Sequence, residues 1–212
     1  MIHTLAERMA KYISKNTSAT SKESAKINYG LEIILGAVVK SCLLLITSYF
    51  LGVFNLMLIV LLTASSFRIL TGGAHFSTYY RCLLAGIVVY NGLGHLTGVI
   101  VNSFNAVFVI PVISIIAVTG LVITYQYAPA DAVIKPLKDS NKRMLIKELA
   151  LAFLIIWYST MMLIVYPMIV NLFWKKILVG STLGIAWQVF TITPLGFKLF
   201  RYIDDIFNKK LF

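Results

Sequence analysis

Long apolar runs divide this sequence, and they leave little choice of solvent. They cover residues 31–51, 54–67, 83–101, 104–125, 149–170 and 177–193. A helix of about 20 apolar residues crosses a hydrocarbon core about 30 Å thick. In lipid the backbone must satisfy its own hydrogen bonds, and a helix does so within one segment. The expected fold is therefore all-α: a single polytopic membrane domain over residues 1–212 with about six hydrophobic helical segments. Composition agrees, since 59% of residues are apolar and 13% charged, against about 25% charged in soluble domains. The run over 54–67 is short, about 14 residues or 21 Å as a helix. It can reach across only if the residues after it lie below the headgroups, in a cavity lined by protein.

The charges sit between the runs. There are 19 Lys and Arg against 8 Asp and Glu, a net charge of +11. In a soluble chain this excess would suggest nucleic acid. Placed at loops and helix ends it points to anionic lipid instead, and no nucleic-acid partner is expected. The basic residues fall in the N-terminal arm, in the stretch 68–82, in the loop 127–148 and in the C-terminal tail. Six spans with both termini in the cytoplasm put all four regions on one side. Lys175 and Lys176 fall on the other side, where they can snorkel to the surface.

Residues 1–15 repeat Ile2, Leu5, Met9 and Ile13 at helical spacing, which predicts an interfacial amphipathic helix. Residues 16–26 read as a polar linker. The first 30 residues lack the apolar core of a cleavable signal peptide. Pro111 allows a kink in the fourth segment, and Pro194 with Gly196 ends the sixth.

The stretch that carries chemistry is 67–82, FRILTGGAHFSTYYRC. A thiolate is the reactive form of cysteine, and cationic neighbours favour it. Arg68, Arg81 and a protonated His75 are candidate cations for Cys82, and a neutral His75 is its candidate base. On one continuous helix His75 and Cys82 would lie about 10.5 Å apart along the axis, too far for a hydrogen bond. If they act together within one chain the helix must break between them. Gly72 and Gly73 offer the break, and Ser77 or Thr78 can cap a helix that restarts there. The alternative is partnership across a dimer interface.

Other ionisable groups carry weaker signals. Cys42 lies inside an apolar run, so a disulfide with Cys82 is not expected. His95 is read as a histidine hydrogen-bonded between helices across the small-residue seam 94–98. Residues 180–184, GSTLG, form a second packing seam. Glu32 is a supporting candidate near the start of the first segment. His3 lies on the arm. No metal-ligand spacing is present, and neither metal nor cofactor is expected. A six-span transporter or channel using Glu32, Lys40 and His95 is the competing reading. Against it, the chain shows no repeated halves.

These residues resemble a known family. Arg68, Gly73-Ala74-His75 and Cys82, with Tyr127-Ala128-Pro129-Ala130 and Lys135-Pro136, are similar to the motifs of the accessory gene regulator B (AgrB) family of bacterial quorum sensing. Gln188 and Pro194 resemble a polar residue and a proline near the end of the family's last span. The resemblance implies a cysteine endopeptidase in the bacterial cell membrane acting on an AgrD-like pro-peptide. His75 and Cys82 would be catalytic, with Arg68, Gly72, Gly73, Arg81, Glu32 and Gln188 supporting them or binding substrate. Cys82 would cleave off the peptide's C-terminal tail through a thioester, and closure of a thiolactone ring would follow. Membrane lipids and a second copy of the chain complete the expected partners.

Overall fold

The computed structural model describes residues 2–17, 20–103, 108–130 and 139–209. Its helices are α1 (Ile2–Thr17), α2 (Ser21–Phe50), α3 (Phe54–Thr71), α4 (Tyr79–Ser103), α5 (Val109–Tyr127), α6 (Ser140–Val170), α7 (Leu172–Ile192) and α8 (Pro194–Lys209). Five of them, α2 to α6, are long and apolar enough to cross a membrane. Helices α7 and α8, bent by 78° at their junction, meet the same test only together. The protein is an all-α, multi-pass membrane protein. Apolar side chains such as Ile115, Val118 and Val122 stay exposed along α5, as lipid-facing positions do.

The chain divides into two units, Met1–Thr47 and Ser48–Phe212. In the first, α1 buries Ala6 and Ala10 and leaves Leu5, Met9 and Tyr12 exposed. A hydrogen bond from Lys11, at 2.8 Å, holds the Glu7 carboxyl below the usual carboxylate range. Of the linker expected over 16–26, residues 16–17 are the end of α1 and 21–26 the first turns of α2. The reason is a capping box. The Thr20 amide donates to Glu23 Oε2 at 2.8 Å, and the Glu23 amide donates to Thr20 Oγ1 at 3.4 Å. Two helix-terminal amides are satisfied, so the polar run that follows stays helical.

In the second unit α3 reaches Thr71, four residues beyond the expected end of its segment, for 18 residues in all and about 27 Å. The extra turn carries Arg68. Helix α7 lies against α3, α4, α5 and α6. The seam at 180–184 is where α7 meets α3: a Cβ on Gly184 would stand 2.8 Å from the Val60 carbonyl oxygen. Gly94 is equally tight against Met57 of α3. His95, however, is exposed and outside that seam, because one residue's step turns a helical side chain about 100° away. Lys175 lies in the first turn of α7, where its ammonium donates to the Val101 carbonyl near the end of α4. That end of a helix favours a cation, which accounts for a lysine on the sparsely charged side.

Pro111 falls in the first turn of α5, where no intrahelical amide donor is required, so the kink it suggested has no cause. Helix α6 begins at Ser140, with the Asp139 carboxylate accepting from the Asn141 and Lys142 amides. The loop expected over 127–148 therefore ends by Asp139. Lys135, Pro136 and Lys138 lie outside the described residues, as do 104–107 at the expected start of the fourth segment. Helix α7 ends at Ile192, where Pro194 was expected to end it, and the proline has a second part. It opens α8, since a proline at the first helical position lacks only an amide that would go unused.

Candidate active site

The chain is not helical between Thr71 and Tyr79, and the glycines explain why. Gly72 has φ 66° and Gly73 φ 132°, values that L side chains rarely adopt. Space forbids side chains as well. A Cβ on Gly72 would collide with the Ala130 carbonyl oxygen, and one on Gly73 would stand 2.8 Å from Thr191 Oγ1. The extended backbone is tied on two sides. The Ala130 amide donates to the Thr71 carbonyl at 2.8 Å, and the Ala74 amide donates to the Thr191 carbonyl at 3.0 Å.

Arg68 is the hub of this region. One guanidinium nitrogen, Nη1, donates to Gln188 Oε1 at 3.3 Å and to Thr191 Oγ1 at 3.4 Å. The other, Nη2, donates to the Ala74 carbonyl at 2.6 Å and lies 3.3 Å from both ring nitrogens of His75. Gln188 is fully buried. Its Nε2 donates to Thr71 Oγ1 at 2.8 Å and to the Gly72 carbonyl at 2.7 Å. Both ends of one amide thus fasten the arginine to the broken backbone.

A guanidinium has donors and no acceptor. A His75 nitrogen that accepts from Arg68 must therefore be unprotonated, and a neutral imidazole is the form that can take a proton. The ring itself is exposed, on the segment between the helices. Cys82 is half-buried in the first turn of α4, where its amide donates to the Thr78 carbonyl at 3.1 Å. Thr78 is thus the residue on which α4 starts. The break removes the two-turn separation that one helix would impose on His75 and Cys82. Arg68 stands in hydrogen-bond range of the imidazole.

Arg81 is placed differently from the expectation. It is not a free cation beside the thiol. Its Nη1 meets Asp204 Oδ1 at 3.0 Å, with both side chains largely buried. Its Nη2 donates to Asn208 Oδ1 at 2.8 Å. Asp204 also accepts from the Ser77 amide at 2.8 Å. Sequence reasoning missed Asp204 because the tail was read as a basic segment. The signal was there in the four- and three-residue steps from Phe200 to Asp204 to Phe207. Glu32 belongs to the first unit, where it meets His3 Nδ1 at 3.4 Å. Cys42 is exposed.

Beside this region lies a cleft of about 480 Å³. Ala130 and Ile192 line it, one residue removed from or directly in the backbone ties just described, together with Arg143, Lys198 and Arg201. Its charge is positive.

The family model for accessory gene regulator B matches residues 6–192. An AgrB-like protein of Clostridium perfringens strain SM101 is 29% identical over 221 residues, covering 100% of both chains. An AgrB-like protein 2 of C. perfringens strain 13 is 31% identical over 224 residues, again with 100% of both covered. A third AgrB-like protein, from C. beijerinckii, is 29% identical over 159 residues, which is 74% of this chain and 77% of the relative. No solved structure matches the chain.

Proposed function

Because the chain belongs to the accessory gene regulator B family, and so to the processing of quorum-sensing peptides, we propose that it is a membrane-embedded cysteine endopeptidase. Its substrate is an AgrD-like pro-peptide. The observation that carries this reading is the broken backbone at 72–78, where one half-buried arginine holds the imidazole loop just ahead of the helix turn that bears the thiol.

His75 takes the proton of Cys82, and the thiolate adds to the scissile carbonyl carbon. The carbon–nitrogen bond then breaks. The leaving amine takes its proton from the imidazolium, and the peptide remains on Cys82 as a thioester. A cysteine within the peptide attacks that carbonyl, releases the Cys82 thiol and closes a thiolactone. Ring closure competes with hydrolysis. A tethered thiol at high effective concentration, in a cavity that limits water, favours the ring. Arg68 holds the segment 74–75 in place and keeps an acceptor nitrogen on the base. The pair acts within one chain, and the basic segments at 139–147 and 198–201 face the cytoplasm.

The test is co-expression with a candidate pro-peptide, followed by mass analysis. Parent protein should yield the cyclic peptide and the free tail. Cys82→Ala should yield neither while still inserting in the membrane, and Cys42→Ala should keep most activity. Processing by Cys82→Ala would refute the assignment and return the transporter reading to first place.

A further inference from the structure

On helix α8, Asp204 lies four residues after Phe200, and Phe207 and Asn208 lie three and four after Asp204, so the four share a face. That face meets the residues on either side of the start of α4. The Phe200 ring lies 4.6 Å from the Phe76 ring. Asp204 accepts from the Ser77 amide at 2.8 Å and pairs with Arg81 at 3.0 Å. Phe207 lies under the Arg81 guanidinium at 5.6 Å, and Asn208 takes its other nitrogen at 2.8 Å. Asp204 is 8% exposed. A buried carboxylate is costly unless its charge and its hydrogen bonds are met, and here both are met by residues 77 and 81.

The glycine segment is tied to its surroundings at its beginning by Ala130 and Thr191. Its end runs into the turn that carries Cys82. Helix α4 packs against α3 farther along, at Gly94 and Met57, but the glycine break itself does not fix the first turn of α4, so a second tie there sets where the thiol lies. Asp204 is that tie. Its charge also suits the amino end of α4, which carries positive partial charge. We infer that Asp204 is a positioning residue for Cys82: through Ser77 and Arg81 it holds the first turn of α4 in register with His75. This rests on the proposed thiol chemistry but is tested separately from it.

In Asp204→Ala the turnover of the pro-peptide should fall at least about 10-fold with KM changed less than about twofold, since displacing a reacting group costs rate rather than binding. Ser77 and Arg81 use different oxygens of Asp204, so Asp204→Asn, with one oxygen, can keep only one of the two contacts and should recover only part of the loss. Asp205, exposed one step round the helix, is the control, and Asp205→Asn should match the parent. Amide exchange supplies a readout without substrate: in Asp204→Ala residues 74–82 should exchange at least about 10-fold faster while α7 is unchanged. Where a lone Arg81 charge prevents accumulation, the Asp204→Ala/Arg81→Ala double variant leaves no unpaired charge and is read the same way. Parent-like turnover, unchanged exchange at 74–82, or exchange that rises equally across α3 to α7 would each overturn the inference. Failure of the thiol chemistry itself would show in Cys82→Ala, which would then still process peptide.

Discussion

Arg68 and Arg81 bracket one stretch of sequence and meet opposite fates. Arg81 has a carboxylate, an amide oxygen and an aromatic ring. Arg68 is held by an amide, a hydroxyl, a carbonyl and an imidazole, and among the described residues no carboxylate pairs with it. A neutralised pair is a fastening. A half-buried guanidinium held only by neutral acceptors keeps its field, at a cost in desolvation that packing elsewhere must offset. Such charges are candidates for function on physical grounds. On the proposed mechanism the difference gives Arg68 a part in the chemistry and Arg81 a mechanical one.

The sharpest way to break this comparison is to remove the unpaired cation. Arg68→Met should lower processing by about 100-fold or more, because both the imidazole loop and its acceptor nitrogen lose their support. Protein level in the membrane should fall much less. Parent-like turnover in this variant would show that the two arginines do not differ in kind. Gly73→Ala follows. The strained φ costs about 1–3 kcal/mol, and the Thr191 contact adds to it, so processing should drop about 10-fold or more with expression largely kept. Rates that track expression one for one would make the glycine merely structural.

Gln188→Glu tests the comparison from the other direction. It gives Arg68 the carboxylate that Arg81 already has, and removes the donor to Thr71 and Gly72. We expect normal accumulation and turnover reduced about 10-fold, since a buried ion pair redirects a charge-assisted hydrogen bond away from the loop. Turnover equal to the parent would mean that the field of Arg68 is immaterial.

Much of this was legible beforehand, for particular reasons. The spans could be read because lipid demands unbroken apolar runs. The break at Gly72 and Gly73 could be read because the helix must break if His75 and Cys82 are to meet within one chain. Gln188 came from the resemblance, and the structure gives it a reason in its contacts with Arg68. What escaped was of two kinds. Ala130 acts through its backbone amide and Thr191 through its carbonyl as well as its hydroxyl, and backbone groups are common to nearly every residue, so no residue type announces those ties. Asp204 acts across a separation of 123 residues from Arg81, and Pro194, rightly read as ending the sixth segment, also starts the helix that carries Asp204. The start of α2 was lost in the same way, because its Thr20–Glu23 box looks like linker composition.

The smallest effect isolates the edge of the Arg81 fastening. Asn208 is exposed and contributes one hydrogen bond, at 2.8 Å, to a guanidinium that Asp204 already neutralises. A hydrogen bond to a charged group contributes about 1.5–3 kcal/mol where water is excluded, but here water can replace the lost amide. Asn208→Ala should therefore change processing by less than about twofold, and amide exchange at 74–82 by less than about threefold, since an exposed contact to a paired charge is worth about 1 kcal/mol or less. Measured beside Asp204→Ala, it separates the buried carboxylate from the contacts around it. If the two variants lose equal activity, the hold on α4 is spread over the whole face of α8 and is not the work of one carboxylate.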